Sequence, residues 1–244
     1  MSPALPCAAP GLLASVATLA EMDTAIAGGA DIVDLKDPAQ GALGAWETAA
    51  LAAAVARWRA LPPGGPLLSA TIGDHPPEPA ALATAAARVA ASGVPLVKIG
   101  FALTPANGPE ALAPCLSALA PLARTHRLIA VLFADLKPDL AMVPAFASAG
   151  FAGVMLDTAD KAAGPLRAHL DDRTLAAFVA SAHMRGLMSG LAGALTLADT
   201  APLAALGPDY LGFRGALCAE GRTGALDPAR LAALRAALQA QAAA

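Results

Sequence analysis

Apolar runs of strand length alternate along the chain with longer stretches of helical periodicity. Residues 12–16, 31–36, 67–73, 96–101, 128–134, 153–158, 187–193 and 210–216 read as strands, and Ala-rich stretches such as 47–59, 79–91, 109–124, 173–185 and 228–238 as helices. Eight strands each followed by a helix is the pattern of an α/β protein built as a single (β/α)8 TIM barrel.

A weak internal repeat points the same way. AGGADIVDLK (27–36), ASGVPLVKIG (91–100), SAGFAGVMLD (148–157) and ALGPDYLGFR (205–214) each open on a small residue, carry Gly third and run into a strand. Their starts lie 64, 57 and 57 residues apart, the spacing of two βα units, or a quarter barrel. The shared Gly suits a left-handed cap ending one helix before the next strand. Superimposing the segments puts Lys36, Gly100, Asp157 and Arg214 at the last position and Asp34, Lys98, Met155 and Gly212 two residues earlier. Side chains two apart on a strand share a face. If that face is inward, a charged layer with a glycine gap tops the barrel at the strands' carboxyl ends, the functional face of this fold.

Length and composition narrow this further. A chain of 244 residues buries a large core and suits one domain over 1–244, with 1–10 a frayed tail before the first strand. Prolines 3, 6 and 10 and the lack of an early cation argue against a secretory signal, and no apolar run reaches membrane-span length. Cys7, Cys115 and Cys218 match neither a disulfide framework nor a zinc site, so a reducing cytoplasm is expected. A formal net charge of -3 gives no reason to expect nucleic acid or an acidic membrane as partner. Dinucleotide and P-loop motifs and clustered His/Cys are missing, so no cofactor and no metal are expected. The expected partners are small metabolites and further copies of the chain.

Lysine distribution changes the picture most. Of 16 Lys and Arg residues only Lys36, Lys98, Lys137 and Lys161 are Lys, and all four fall within or just after a strand. A need for an amine explains this, because lysine can lose its proton and attack a carbonyl while arginine cannot. Lys36 and Lys161 are the candidate nucleophiles; Asp34, Asp157 and Asp135 are candidate acid–base groups. The competing reading is that these lysines only pair with Asp34 or Asp157 to lock the barrel, and for Asp135 a structural role is favoured. At the tops of strands seven and eight, GLAGAL (190–195) and RGAL (214–217) suggest a phosphate site: backbone amides of Gly193, Ala194, Gly215 and Ala216, with Arg214 as counter-charge.

The segments GGADIVDLKDPAQGALGA (28–45), SATIGD (69–74), LVKIG (96–100), VMLDTADK (154–161), GLAGAL (190–195) and FRGALC (213–218) together resemble the (5-formylfuran-3-yl)methyl phosphate synthases of methanofuran biosynthesis. The resemblance implies a (β/α)8 lyase that condenses two molecules of glyceraldehyde 3-phosphate with loss of water and one phosphate. It implies central amines at Lys36 and Lys161, a further lysine at Lys98, and aspartates at Asp34 and Asp157. Two features depart from it: Lys137, and CAEGRTG (218–224) after strand eight, where Arg222 becomes a phosphate contact. Another Schiff-base aldolase or isomerase acting on triose phosphates, and a non-catalytic sugar-phosphate-binding barrel, are the alternatives.

Overall fold

The computed structural model describes residues 9–160 and 162–242; the expected frayed tail falls largely outside them. The alternation read from the sequence is realised as β1 Gly11–Val16, α1 Leu19–Ala27, β2 Ile32–Leu35, α2 Thr48–Arg59, β3 Leu67–Thr71, α3 Pro79–Ala90, β4 Leu96–Phe101 and α4 Gly108–Ala123. The second half continues with β5 Arg127–Phe133, α5 Val143–Ser148, β6 Gly153–Asp157, α6 Leu166–His169, α7 Asp172–His183, β7 Met188–Leu191, α8 Thr200–Ala204, β8 Tyr210–Phe213 and α9 Pro228–Ala242. Each strand pairs in parallel with the next, and β8 returns to β1, closing an eight-stranded barrel.

Strand period sorts the core into two shells. Leu12, Ala14 and Val16, Val33 and Leu35, and Val97, Ile99 and Phe101 face outward and pack under the helices. Leu13, Ile32, Leu67, Leu96, Ile129, Val131, Met155 and Tyr210 fill the barrel. Strands buried on both faces read as continuous apolar runs, which is why they are visible in the sequence. No helix among the described residues is long and apolar enough to cross a membrane.

Strands three, seven and eight end two or three residues earlier than their apolar runs. Gly73 and Gly193 have φ of 101° and 109°, and Arg214 has ψ of -65°, so the chain turns out of the ladder at each mouth loop. Helices α6 and α8, of four and five residues, are too short to show a period.

The repeat glycines take the left-handed geometry expected of them: Gly29, Gly93, Gly150 and Gly207 have φ of 74°, 83°, 86° and 74°. Behind two of them the chain closes five residues back, Ala30 N donating to Ala25 O and Phe151 N to Phe146 O, both at 3.0 Å. Nothing lies within 4 Å of the place a Cβ would occupy at Gly207. Gly207→Ala therefore isolates the backbone cost: we expect about 1–2 kcal/mol of destabilisation, read as a fall of the thermal midpoint by roughly 2–8 °C.

Candidate active site

The inward positions of β2, β4 and β6 carry the charges, as the superimposed repeats required. Asp34 is fully buried in the barrel. Its Oδ2 accepts from Lys98 Nζ at 2.9 Å and Ser15 Oγ at 3.0 Å, and its Oδ1 from Ser69 Oγ at 2.6 Å. Burial alone would raise the Asp34 pKa, but the charges of Lys98 and Lys36 and the Ser69 hydrogen bond outweigh it and hold the carboxyl below its ordinary value. Burial lowers the Lys98 pKa, and the nearby Lys36 charge adds to this against the opposing pull of Asp34. These two groups form the ionic floor of the site. Ser15 and Ser69 escape a search for charged motifs; their signal is a polar residue at an inward position of an otherwise apolar strand.

Above that floor, Lys36 Nζ lies 3.6 Å from Asp157 Oδ2. Asp157 Oδ1 also accepts from the amide of Thr158 at 2.8 Å, which aims the other oxygen inward. Lys36, Lys98 and Asp157 line one cavity of about 230 Å³ together with Gly193, Ala194, Arg214 and Gly215. Lys161 lies outside the described residues. The loop that leads to it is held by Asp135, whose two oxygens accept from the amides of Ala159 and Asp160, each at 2.8 Å. Asp135 is thus a loop anchor. Lys137 is exposed, with φ of 53°, and does not line the cavity.

The expected glycine gap is a filled one. A Cβ on Gly100 would stand 2.6 Å from Cδ1 of Leu43 and 3.1 Å from Cζ of Phe133, because the loop after β2 folds Ala42 and Leu43 down into the barrel core. Asp74 secures that loop by accepting from the amide of Leu43 at 3.1 Å.

The backbone cradle is open where it was expected. Gly193 and Ala194 both have positive φ, 109° and 49°. Among the described residues no acceptor takes the amides of Gly193, Ala194, Gly215 or Ala216. A non-glycine residue held left-handed is strained, and such strain gathers where a backbone is shaped around a ligand. Ala216 sits one step out: it borders a second hollow on the outer side, with Leu197 and Arg230, rather than the central cavity.

Arg214 needs correction as the phosphate's counter-charge. Its Nη1 and Nη2 bind Glu21 Oε2 and Oε1 at 2.5 and 3.2 Å. Its remaining N–H groups donate to the carbonyls of Ser15, Arg222 and Gly224. All five donors are engaged and a buried carboxylate neutralises the charge, so Arg214 is a clamp that fixes the loop after β8. Glu21 was missed because its local setting reads as a helix start: Thr18 caps α1 by accepting from the Glu21 amide, and Glu21 accepts from the amide of Ala17. Nothing local announces a partner 193 residues away.

Among the described residues no group of three or more His, Cys, Asp or Glu side chains converges as metal ligands would. Fold and site together define a (β/α)8 barrel whose carboxyl-end cavity combines amines, carboxylates and open backbone amides. The family model described as 4-HFC-P synthase matches residues 12–235, and the chain belongs to that family. A Methylorubrum extorquens protein provisionally named (5-formylfuran-3-yl)methyl phosphate synthase is 44% identical, over 97% of this chain and 96% of that one. The (5-formylfuran-3-yl)methyl phosphate synthase of Methanococcus aeolicus is 34% identical over 86% of this chain and 91% of its own. Among solved structures, the phosphoribosyl anthranilate isomerase of Thermus thermophilus superimposes with a TM-score of 0.62 at 17% identity, covering 94% of this chain and 98% of that one. That likeness speaks for the barrel alone.

Proposed function

We propose that this enzyme condenses two molecules of glyceraldehyde 3-phosphate to (5-formylfuran-3-yl)methyl phosphate, releasing phosphate and water, as a carbon–oxygen lyase in the biosynthesis of a methanofuran-type one-carbon carrier. One observation carries the reading beyond family membership. The Lys36 amine stands 3.6 Å from a carboxylate on the same small cavity as the amides of Gly193 and Ala194, which no acceptor among the described residues takes. Because amine and amides line one cavity, a triose phosphate bound there sets its phosphate on the amides and its carbonyl toward the amine.

In this reading Lys36, once deprotonated, attacks the aldehyde carbon, and Asp157 delivers the proton that lets the carbinolamine lose water. The resulting imine acidifies the neighbouring C–H, and the same carboxylate carries that proton away to leave a carbon nucleophile for the second aldehyde. Lys98 and Asp34 support this from below, presenting a fixed field to the developing charges. Lys161, which the family resemblance places among the central amines, supplies the second amine.

Incubation with glyceraldehyde 3-phosphate tests the reading: a rising furan absorbance is expected. An aldol product without a furan would point instead to a Schiff-base aldolase. Borohydride added during turnover should reduce the imine and leave a substrate-sized adduct on lysine; a complete lack of label would make the chain a sugar-phosphate-binding barrel.

A further inference from the structure

The cations at the barrel mouth are not equivalent. Lys36 pairs with Asp157, Lys98 with Asp34 and Arg214 with Glu21, at 3.6, 2.9 and 2.5 Å. Each pair is neutral. Arg222 also lines the cavity, yet no carboxylate among the described residues comes within 4.0 Å of it. Among the described residues its side chain makes one hydrogen bond, from Nη2 to the carbonyl of Gly41, at 2.8 Å. Four N–H donors of the guanidinium are left without a protein acceptor among the described residues.

Its placement is fixed on both sides. The clamp of Arg214 grips the carbonyls of Arg222 and Gly224 at 2.7 and 2.9 Å, so the loop after β8 is anchored to the buried Glu21. The Cβ of Arg222 lies 3.9 Å from where a Cβ on Gly215 would be, beside the amide cradle. From there the side chain crosses the mouth to the loop after β2, where Gly41 is packed against Asp74 with no room for a Cβ. A pre-positioned, uncompensated guanidinium is the chemistry that recognises a phosphate monoester dianion.

On the reading of the preceding section, two phosphate esters must occupy the mouth at once. The amide cradle takes one, and Arg214 has no donor left for the other. We propose that Arg222 binds the second phosphate, holding it between the guanidinium and the loop after β2, and so selects a phosphorylated second aldehyde over an unphosphorylated one.

Calorimetric titration with glycerol 3-phosphate tests this without chemistry, because that probe has no carbonyl and forms no imine. The wild-type chain should take up two equivalents. Arg222→Gln should retain one and weaken the other by about 10–100-fold. Arg222→Lys should fall between, since an ammonium restores charge but not the fork. With glyceraldehyde 3-phosphate, Arg222→Gln should raise KM more than it lowers kcat. A single equivalent in the wild type, or two equivalents of unchanged affinity in a folded Arg222→Gln protein, overturns the proposal. An Arg222-dependent second site in a protein that makes no furan would sink the proposed reaction and leave this site standing. Furan formation with KM unchanged in Arg222→Gln would do the reverse.

Discussion

Exchanging Lys36 for arginine should lower furan formation by at least about 10³-fold while the protein unfolds at nearly the wild-type temperature. The substitution separates two roles that alanine would confuse. Arginine keeps a cation opposite Asp157, so the buried ion pair and the loops around it survive, but a guanidinium does not deprotonate and forms no imine. Turnover is followed by furan absorbance and the adduct by mass after borohydride reduction. The label should sit on the peptide containing Lys36 in the wild type and vanish from it in Lys36→Arg. Near-normal turnover in that variant would return Lys36 to the role of a locked salt bridge, and the same exchange at Lys161 then becomes the decisive one.

The largest effect on stability is expected at the ionic floor. Asp34→Asn leaves the Lys98 ammonium buried without its counter-charge, and we expect a loss of about 3–5 kcal/mol, measured from urea unfolding. Adding Lys98→Met to Asp34→Asn should recover part of it, because removing both charges also removes the desolvation that the pair has to overcome. An Asp34→Asn protein as stable as the wild type would mean that Lys98 is neutral in the folded state.

The same pair gives stability a pH dependence at both ends. Asp34 has a folded pKa below its ordinary 3.8, so the stability it contributes is present above that value. It is lost as pH falls from there through the lower folded pKa, where the unfolded chain binds more protons than the native one. Lys98 has a folded pKa below its ordinary 10.5. Between its folded pKa and 10.5 the unfolded state again holds the extra proton, so this group makes stability rise with pH across that interval. Subtracting the profile of a Lys98→Met protein from that of the wild type isolates the second slope; a flat difference would show that Lys98 titrates normally.

Much of the site was legible before folding because it rests on a short-range rule. Alternation on a strand sends Asp34 with Lys36, and Met155 with Asp157, to one face, and a shared glycine in the left-handed region sets the phase of four units. The inward charges were therefore readable from spacing alone. The open amides of Gly193 and Ala194 were readable for a similar reason: small residues at a strand end leave backbone donors bare.

Arg214 and Gly100 show where such rules stop. Each occupies the inward position its register requires, yet Arg214 is consumed by Glu21 and the space over Gly100 is taken by Leu43. Both outcomes depend on segments that spacing along a strand says nothing about. A guanidinium has five donors, and which acceptors use them is decided by the loops that barrel closure brings together.

The sequence by itself determined the barrel, the end at which its inward charges gather and the amines and carboxylates of that layer, since these follow from periods of two and of a quarter barrel. Only the tertiary structure decided which charges cancel. Lys98 answers Asp34, Lys36 answers Asp157 and Arg214 answers Glu21, leaving Arg222 at the mouth without a carboxylate among the described residues. Ion pairing depends on separations of a few ångströms between residues up to 193 positions apart, and those separations exist only once the barrel has closed.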